Sequence, residues 1–241
     1  MNSTIQTTDA NLWLLRSLGL AGVLGGLVLL FGDQLFYWGP IENLSTVTTI
    51  ATGQVPIATL GLGADWRLIL TGIAPLLASW GYALGGILLF FALRPAGNTL
   101  AIISSTLLVA LGIGAGIAHA IYFAIGVGAK SAYLLGGGYE EAIQTVQIAV
   151  DTFNVVALIT YVPATILTLL FTYAVFLKET HLPKWLIVFF PMFLVNSQYI
   201  VVPLLPDNLI KVVIMGGYVN LSFTIFFALL TAIMWNGGES K

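Results

Sequence analysis

Of the two histidines in this 241-residue chain, His119 lies in a long apolar stretch and His181 in a short polar connection. An imidazole titrates near neutrality, and a carboxylate beside it can orient the ring and hold its proton, as in a general base or a proton relay. Asp33 and Asp151 border apolar stretches and are the candidate partners, so His119, Asp151 and Asp33 form the candidate catalytic set. Amides and phenols recur in comparable settings at Asn154, Asn196, Tyr218, Asn220 and Tyr122, where hydrogen bonding to a ligand is their natural chemistry. Helical spacing pairs several of them on one face: Asp151 with Asn154, His119 with Tyr122, Asn196 with Tyr199, and Tyr218 with Ser222.

Each of these residues also fits a plain structural role. A neutral imidazole is satisfied by one donor and one acceptor on neighbouring helices. Asp33 fits a solvated charge at a helix end, and Asp151 a charge favoured by the dipole of the helix that follows it. The run Gly136-Gly137-Gly138-Tyr139-Glu140-Glu141 fits a tight turn and a helix start, and it lacks the Lys and Ser/Thr of a phosphate loop.

Absent residues exclude several chemistries. Cysteine is missing, which removes disulfides, thiolate metal sites and thiol nucleophiles. No Gly-x-Ser-Gly nucleophile segment of a rhomboid-type protease occurs. A zinc hydrolase needs about three protein ligands, a bis-histidine haem needs two intramembrane histidines, and a retinal Schiff base needs an intramembrane lysine. None of these sets is available, so no metal and no cofactor is expected. The net charge of −2 provides no basic stripe, and nucleic acid is not an expected partner.

The elements that must position these groups are apolar helices. Hydrophobic residues make up 59% of the chain and charged ones 7%, against about 25% charge in a soluble domain. Apolar runs long enough to cross roughly 30 Å of hydrocarbon, charged only at Arg16 and Lys211 near their ends, occur near 12–32, 68–93, 99–128, 152–177, 185–205 and 209–235. The expected fold is therefore all-α, a polytopic transmembrane helical bundle of about six spans forming one domain over 1–241, with outer loops at 33–67 and 129–151. The first run, Leu12 to Gly32, is too long for a signal h-region and reads as a retained helix. The stretch 44–64, broken by Gly53, Pro56, Gly61 and Gly63, reads as an ordered loop or re-entrant piece, with a seventh span as the alternative.

Five basic residues (Arg16, Arg94, Lys178, Lys184 and Lys241) fall on one side of this topology and three (Arg67, Lys130 and Lys211) on the other. That bias puts both termini in the cytoplasm of a cell-membrane protein. Trp66, Trp185 and Trp235 fall near span ends, where indoles favour the headgroup region. Glycines four apart, Gly22 and Gly26, Gly81 and Gly85, Gly112 and Gly116, predict close helix contacts. Pro75, Pro163 and Pro191 fall inside spans and predict bends that open internal space.

Helical rise places His119, Asn154, Asn196, Tyr218 and Asn220 roughly 7–16 Å below the outer surface. The inner halves of the spans are almost purely apolar. Groups at one depth can meet around a pocket, where they satisfy one another or a ligand instead of facing lipid unpaired.

The segments Phe31-Gly32-Asp33, Ala118-His119-Ala120 and Gly216-Gly217-Tyr218-Val219-Asn220-Leu221-Ser222 resemble those of an uncharacterised group of bacterial six-helix integral membrane proteins. The resemblance implies a compact helical bundle with polar positions at Asp33, His119 and Asn220, and no activity. Three functions fit. One is a membrane protein that binds or converts a small or lipid-like molecule in the outer-half pocket. The others are a non-catalytic subunit docking membrane-protein partners or further copies of itself, and a proton-coupled transporter. Membrane lipids are partners in every case, and whether the protein is an enzyme is left open by the sequence.

Overall fold

The computed structural model describes residues 9–37, 64–134, 140–178, 180–206 and 209–237. These residues form six α-helices: α1 (Asp9–Tyr37), α2 (Asp65–Leu93), α3 (Asn98–Leu134), α4 (Glu140–Leu177), α5 (Pro191–Leu204) and α6 (Leu209–Met234). Short 3-10 turns cover Arg94–Ala96 and Lys184–Phe189. No strand occurs among the described residues. Five helices, all but α5, are long and apolar enough to cross a membrane. With 14 residues, α5 extends only about 21 Å.

Neighbours in space follow the order α4, α3, α2, α1, α6, α5, with α2 held between α1 and α3. The ring is barely closed, because α4 meets α5 at few residues. Glycines set the tightest contact. A Cβ on Gly81 would lie 2.6 Å from the Ala21 carbonyl oxygen and 2.7 Å from the Gly25 Cα, so α1 and α2 cross backbone to backbone. Gly112 of α3 gives the same clearance to Tyr82, whose Cβ would be 2.7 Å from an added methyl. In lipid such close approach supplies much of the association energy, since burying apolar surface gains little.

Two ends can be distinguished. One holds Arg16, whose guanidinium donates to the Trp235 carbonyl at 3.0 Å and lies 4.8 Å from its indole. At the other end Arg67 donates to the Leu35 carbonyl in the last turn of α1, and Lys130 pairs with Asp65. Toward the Arg16 end, Phe171 of α4, Phe190 and Phe226 of α6 pack together at centroid separations of 4.5–5.6 Å, Phe226 edge-on to the other two rings. All three rings are buried, and they close the space between α4 and α6 on that side.

Several boundaries differ from expectation. The loop expected over 129–151 is mostly helix: α3 continues to Leu134 and α4 begins at Glu140, with 135–139 outside the described residues. The apolar run marks where hydrocarbon ends, but the backbone hydrogen-bond ladder carries on through polar sequence. Likewise α1 continues to Tyr37, so Asp33 lies within the helix and not beyond it. Of the expected loop 33–67, residues 38–63 lie outside the described residues, and the question posed by 44–64 falls almost wholly there. The run 185–205 is not one helix. Pro191 drives Phe190 to an extended conformation, φ −64° and ψ 138°, and starts α5 at its first turn instead of bending a span. Pro75 and Pro163 do lie inside α2 and α4.

Candidate functional site

Four helices send polar side chains to one point on the Asp33 side of the phenylalanine layer. Asp33 of α1 is buried, as are Asn220 of α6 and Tyr82 of α2, and His119 of α3 is nearly so. The imidazole Nε2 lies 3.0 Å from Asp33 Oδ1, and Nδ1 lies 2.8 Å from the Ala115 carbonyl one turn back along α3. The Asn220 amide donates to Asp33 Oδ2 at 2.6 Å, and its oxygen accepts from the Tyr82 hydroxyl at 2.9 Å. Each carboxylate oxygen thus has a protein donor.

Proton positions follow from the partners. A backbone carbonyl only accepts, so Nδ1 must carry hydrogen. Nε2 then faces a carboxylate oxygen, and one further proton must lie between them, on the ring or on the acid. Either way the pair holds a single shared proton and is neutral as a unit. That satisfies the cost of placing ionisable groups away from water, where an isolated charge would be very unfavourable.

A half-enclosed cavity of about 300 Å³ adjoins this network. Asp33, His119 and Asn220 form its polar end. Phe153, Ala157, Thr160 and Tyr161 of α4 line one wall, and Met192, Val195 and Gln198 of α5 line the other. The cavity therefore sits in the seam where α4 and α5 scarcely touch. Its lining includes the Tyr122 ring, which stands edge-on to His119 at 5.1 Å and packs against Phe153 at 4.6 Å.

Among the residues singled out from the sequence, Asp33, His119, Asn220 and Tyr122 come together here. Asp151 does not. It is exposed and accepts a hydrogen bond from Gln147 on its own helix at 2.8 Å. Asn154 is exposed on α4 and does not line the cavity. Asn196 bonds back to the Met192 carbonyl at 2.7 Å and faces outward. Tyr218 binds the Ser197 hydroxyl at 2.8 Å, which ties α6 to α5 outside the cavity lining. Equal depth holds these residues at one level, but helix rotation decides which of them turn inward. Asp33 thus takes the place beside His119 that its alternative reading, a solvated charge at a helix end, would have denied it.

Tyr82 was not legible as a site residue. Its Cα lies deep in α2, but side chains on a helix lean toward the N-terminus, so its hydroxyl reaches back toward the level of Asp33. Gln198 and Tyr161 were also missed, and a polar residue two positions from Asn196 on α5 was the available signal. No group of three or more His, Cys, Asp or Glu residues that could hold a metal occurs among the described residues.

The chain belongs to the family described as "Family of unknown function (DUF6796)", whose model matches residues 1–237. No curated protein and no solved structure gives a match.

Proposed function

We propose that this is a multi-pass cell-membrane protein that takes a lipid-like or small apolar molecule from the bilayer into the seam between α4 and α5, with its polar end held at Asp33, His119 and Asn220. In this reading the sixth crossing is made by α5 together with the preceding 3-10 turn. Both termini are cytoplasmic, as the basic bias favours, and the pocket belongs to the outer half of the membrane. The observation that carries the reading is the cavity itself, of about 300 Å³ and mostly apolar on its α4 and α5 walls, with a buried hydrogen-bonded acid–base pair at one end. A cavity in the seam between two loosely packed helices suits a ligand that arrives through lipid.

Binding is favoured over acid–base conversion because both imidazole nitrogens are engaged, which leaves no lone pair ready to take a proton from a substrate. The transporter reading is weaker, because the packed Phe171, Phe190 and Phe226 rings supply no polar route to the other end. The subunit reading finds its support in α4, of whose most apolar window only 17% is buried. Lipid covers such a face equally well.

Photolabelling of the purified protein with a diazirine-bearing dodecanol tests the proposal. Label is expected on α4 and α5 peptides around Tyr161 and Val195, and Ala157→Trp, which fills the cavity, should reduce it at least fivefold. Labelling spread evenly over all helices, or unchanged in the Trp variant, would remove the pocket.

A further inference from the structure

The charge inventory of the cavity restricts what it can hold. Among the described residues, the only carboxylate and the only imidazole in its lining are Asp33 and His119, and no lysine or arginine lines it. The groups facing Asp33 can be named helix by helix. On α2 they are the neutral Tyr82 and, two residues further along α1, the Arg67 guanidinium, which is directed to the Leu35 carbonyl. On α3 they are His119 and the Tyr122 phenol, and on α6 the Asn220 amide. Thr160 and Tyr161 of α4 and Gln198 of α5 complete the described polar lining. An anionic headgroup entering this space meets a carboxylate whose single balancing proton is already shared with His119. A protonated amine meets the opposite situation, since separate N–H groups of one ammonium can donate to Asp33 Oδ1 and, once the shared proton has left, to His119 Nε2, acceptors that lie 3.0 Å apart.

Building on the pocket reading above, we infer that the cavity selects a hydrophobic amine in its protonated form and binds it in exchange for the one proton shared by Asp33 and His119. The exchange balances in charge and atoms. The neutral pair plus the ammonium ion gives the carboxylate, a neutral imidazole still donating from Nδ1 to Ala115, the bound ammonium, and one proton released to water. The ammonium donates to Asp33 and to the freed Nε2 lone pair. Aromatic rings of Tyr122, Phe153 and Tyr161 border the same space and suit a cation and its alkyl chain.

Displacement of the diazirine-bearing dodecanol by dodecylamine, dodecanol and dodecanoate keeps the chain constant and varies only the headgroup. An alkylamine stays charged to about pH 10, so between pH 6 and 8 its own protonation does not change. Dodecylamine is expected to compete at least tenfold better than dodecanoate at pH 8. Its affinity should rise by up to about tenfold per pH unit while the pair is protonated, because one proton leaves on binding. A pH-indicator dye in weak buffer should record about one proton released per amine bound by the unaltered protein, and this measurement needs no variant to fold. Asp33→Asn should abolish both the release and the preference for the amine.

Equal or better competition by dodecanol or dodecanoate, or amine binding without proton release, would overturn the inference while photolabelling confined to the seam leaves the pocket standing. Labelling insensitive to Ala157→Trp would overturn the pocket, and the amine selectivity with it.

Discussion

Asp33 and His119 stand 86 positions apart in sequence and 3.0 Å apart in space, on helices that scarcely touch. Helix α2 separates their backbones, so the two side chains reach around it to meet. The pair therefore ties α1 directly to α3, two helices with little other contact.

Removing one partner leaves the other without its shared proton or its acceptor. Asp33→Ala is expected to lower stability by about 3–5 kcal/mol, as for other broken buried pairs. The double variant Asp33→Ala with His119→Ala should cost less than the sum of the single changes by about 1–3 kcal/mol. Reversible unfolding in mixed detergent, read by circular dichroism, measures both. Strictly additive losses would show that the two groups are not coupled.

Tyr82→Phe isolates the next link. The ring keeps its packing against Phe223 and Phe227, at centroid separations of 5.1 and 5.7 Å, and loses only the donor to Asn220. The buried amide oxygen is then without a partner, which is expected to cost about 1–3 kcal/mol. A melting temperature equal to that of the unaltered protein would show that the amide finds another donor and that Tyr82 is packing alone.

How much of this was legible follows from what each signal measures. Apolar length locates helices well, because hydrocarbon demands a continuous hydrogen-bonded backbone over a set distance. It does not locate their ends, which is why the expected loop 129–151 is largely α3 and α4. Depth from helical rise drew attention to His119 and Asn220, and Asp33 stood out only as a charge at the border of an apolar run, but depth could not tell Asn220 from Asn196 or Asn154. That choice depends on rotation about the helix axis, set by neighbours distant in sequence. Gly26 against Thr224 and Gly217 against Leu30 orient α6 on α1, and no local pattern announces such pairs.

Glycine contacts give a sharper test of the α1–α2–α3 core than the polar network does. A leucine at Gly81 would drive its Cβ into the Ala21 carbonyl and the Gly25 backbone, neither of which can rotate away. Gly112→Leu presses on the Tyr82 Cβ, equally fixed. Both variants should lose thermal stability in detergent, by about 1–3 kcal/mol or more, as expected for overpacking. Gly97→Ala is a different case: no atom lies within 4 Å of an added Cβ, but its φ of 130° is one that L residues rarely adopt. A modest loss is expected there, from backbone strain alone. Unchanged stability in Gly81→Leu would mean that the α1–α2 crossing is looser than its geometry.

The arrangement of the pocket relative to the two membrane faces depends on the number of crossings. Helix α5 alone covers about 21 Å, short of the roughly 30 Å hydrocarbon core. The six-residue 3-10 turn before it adds about 12 Å at about 2 Å per residue, which is enough for a crossing if the two lie in line. Six crossings put both termini on one side and the adjoining ends of α3 and α4 on the other. The chain has no native cysteine, so single cysteines report cleanly. With Ser3→Cys and Ser131→Cys, an impermeant maleimide on intact cells should label only the second. Ser131 is exposed near the end of α3 and is accessible to the reagent. Labelling of Ser3→Cys alone would invert the orientation and place the Asp33–His119 pocket in the cytoplasmic leaflet. Labelling at both positions would mean an even number of crossings between residues 3 and 131, instead of the three that α1, α2 and α3 would make.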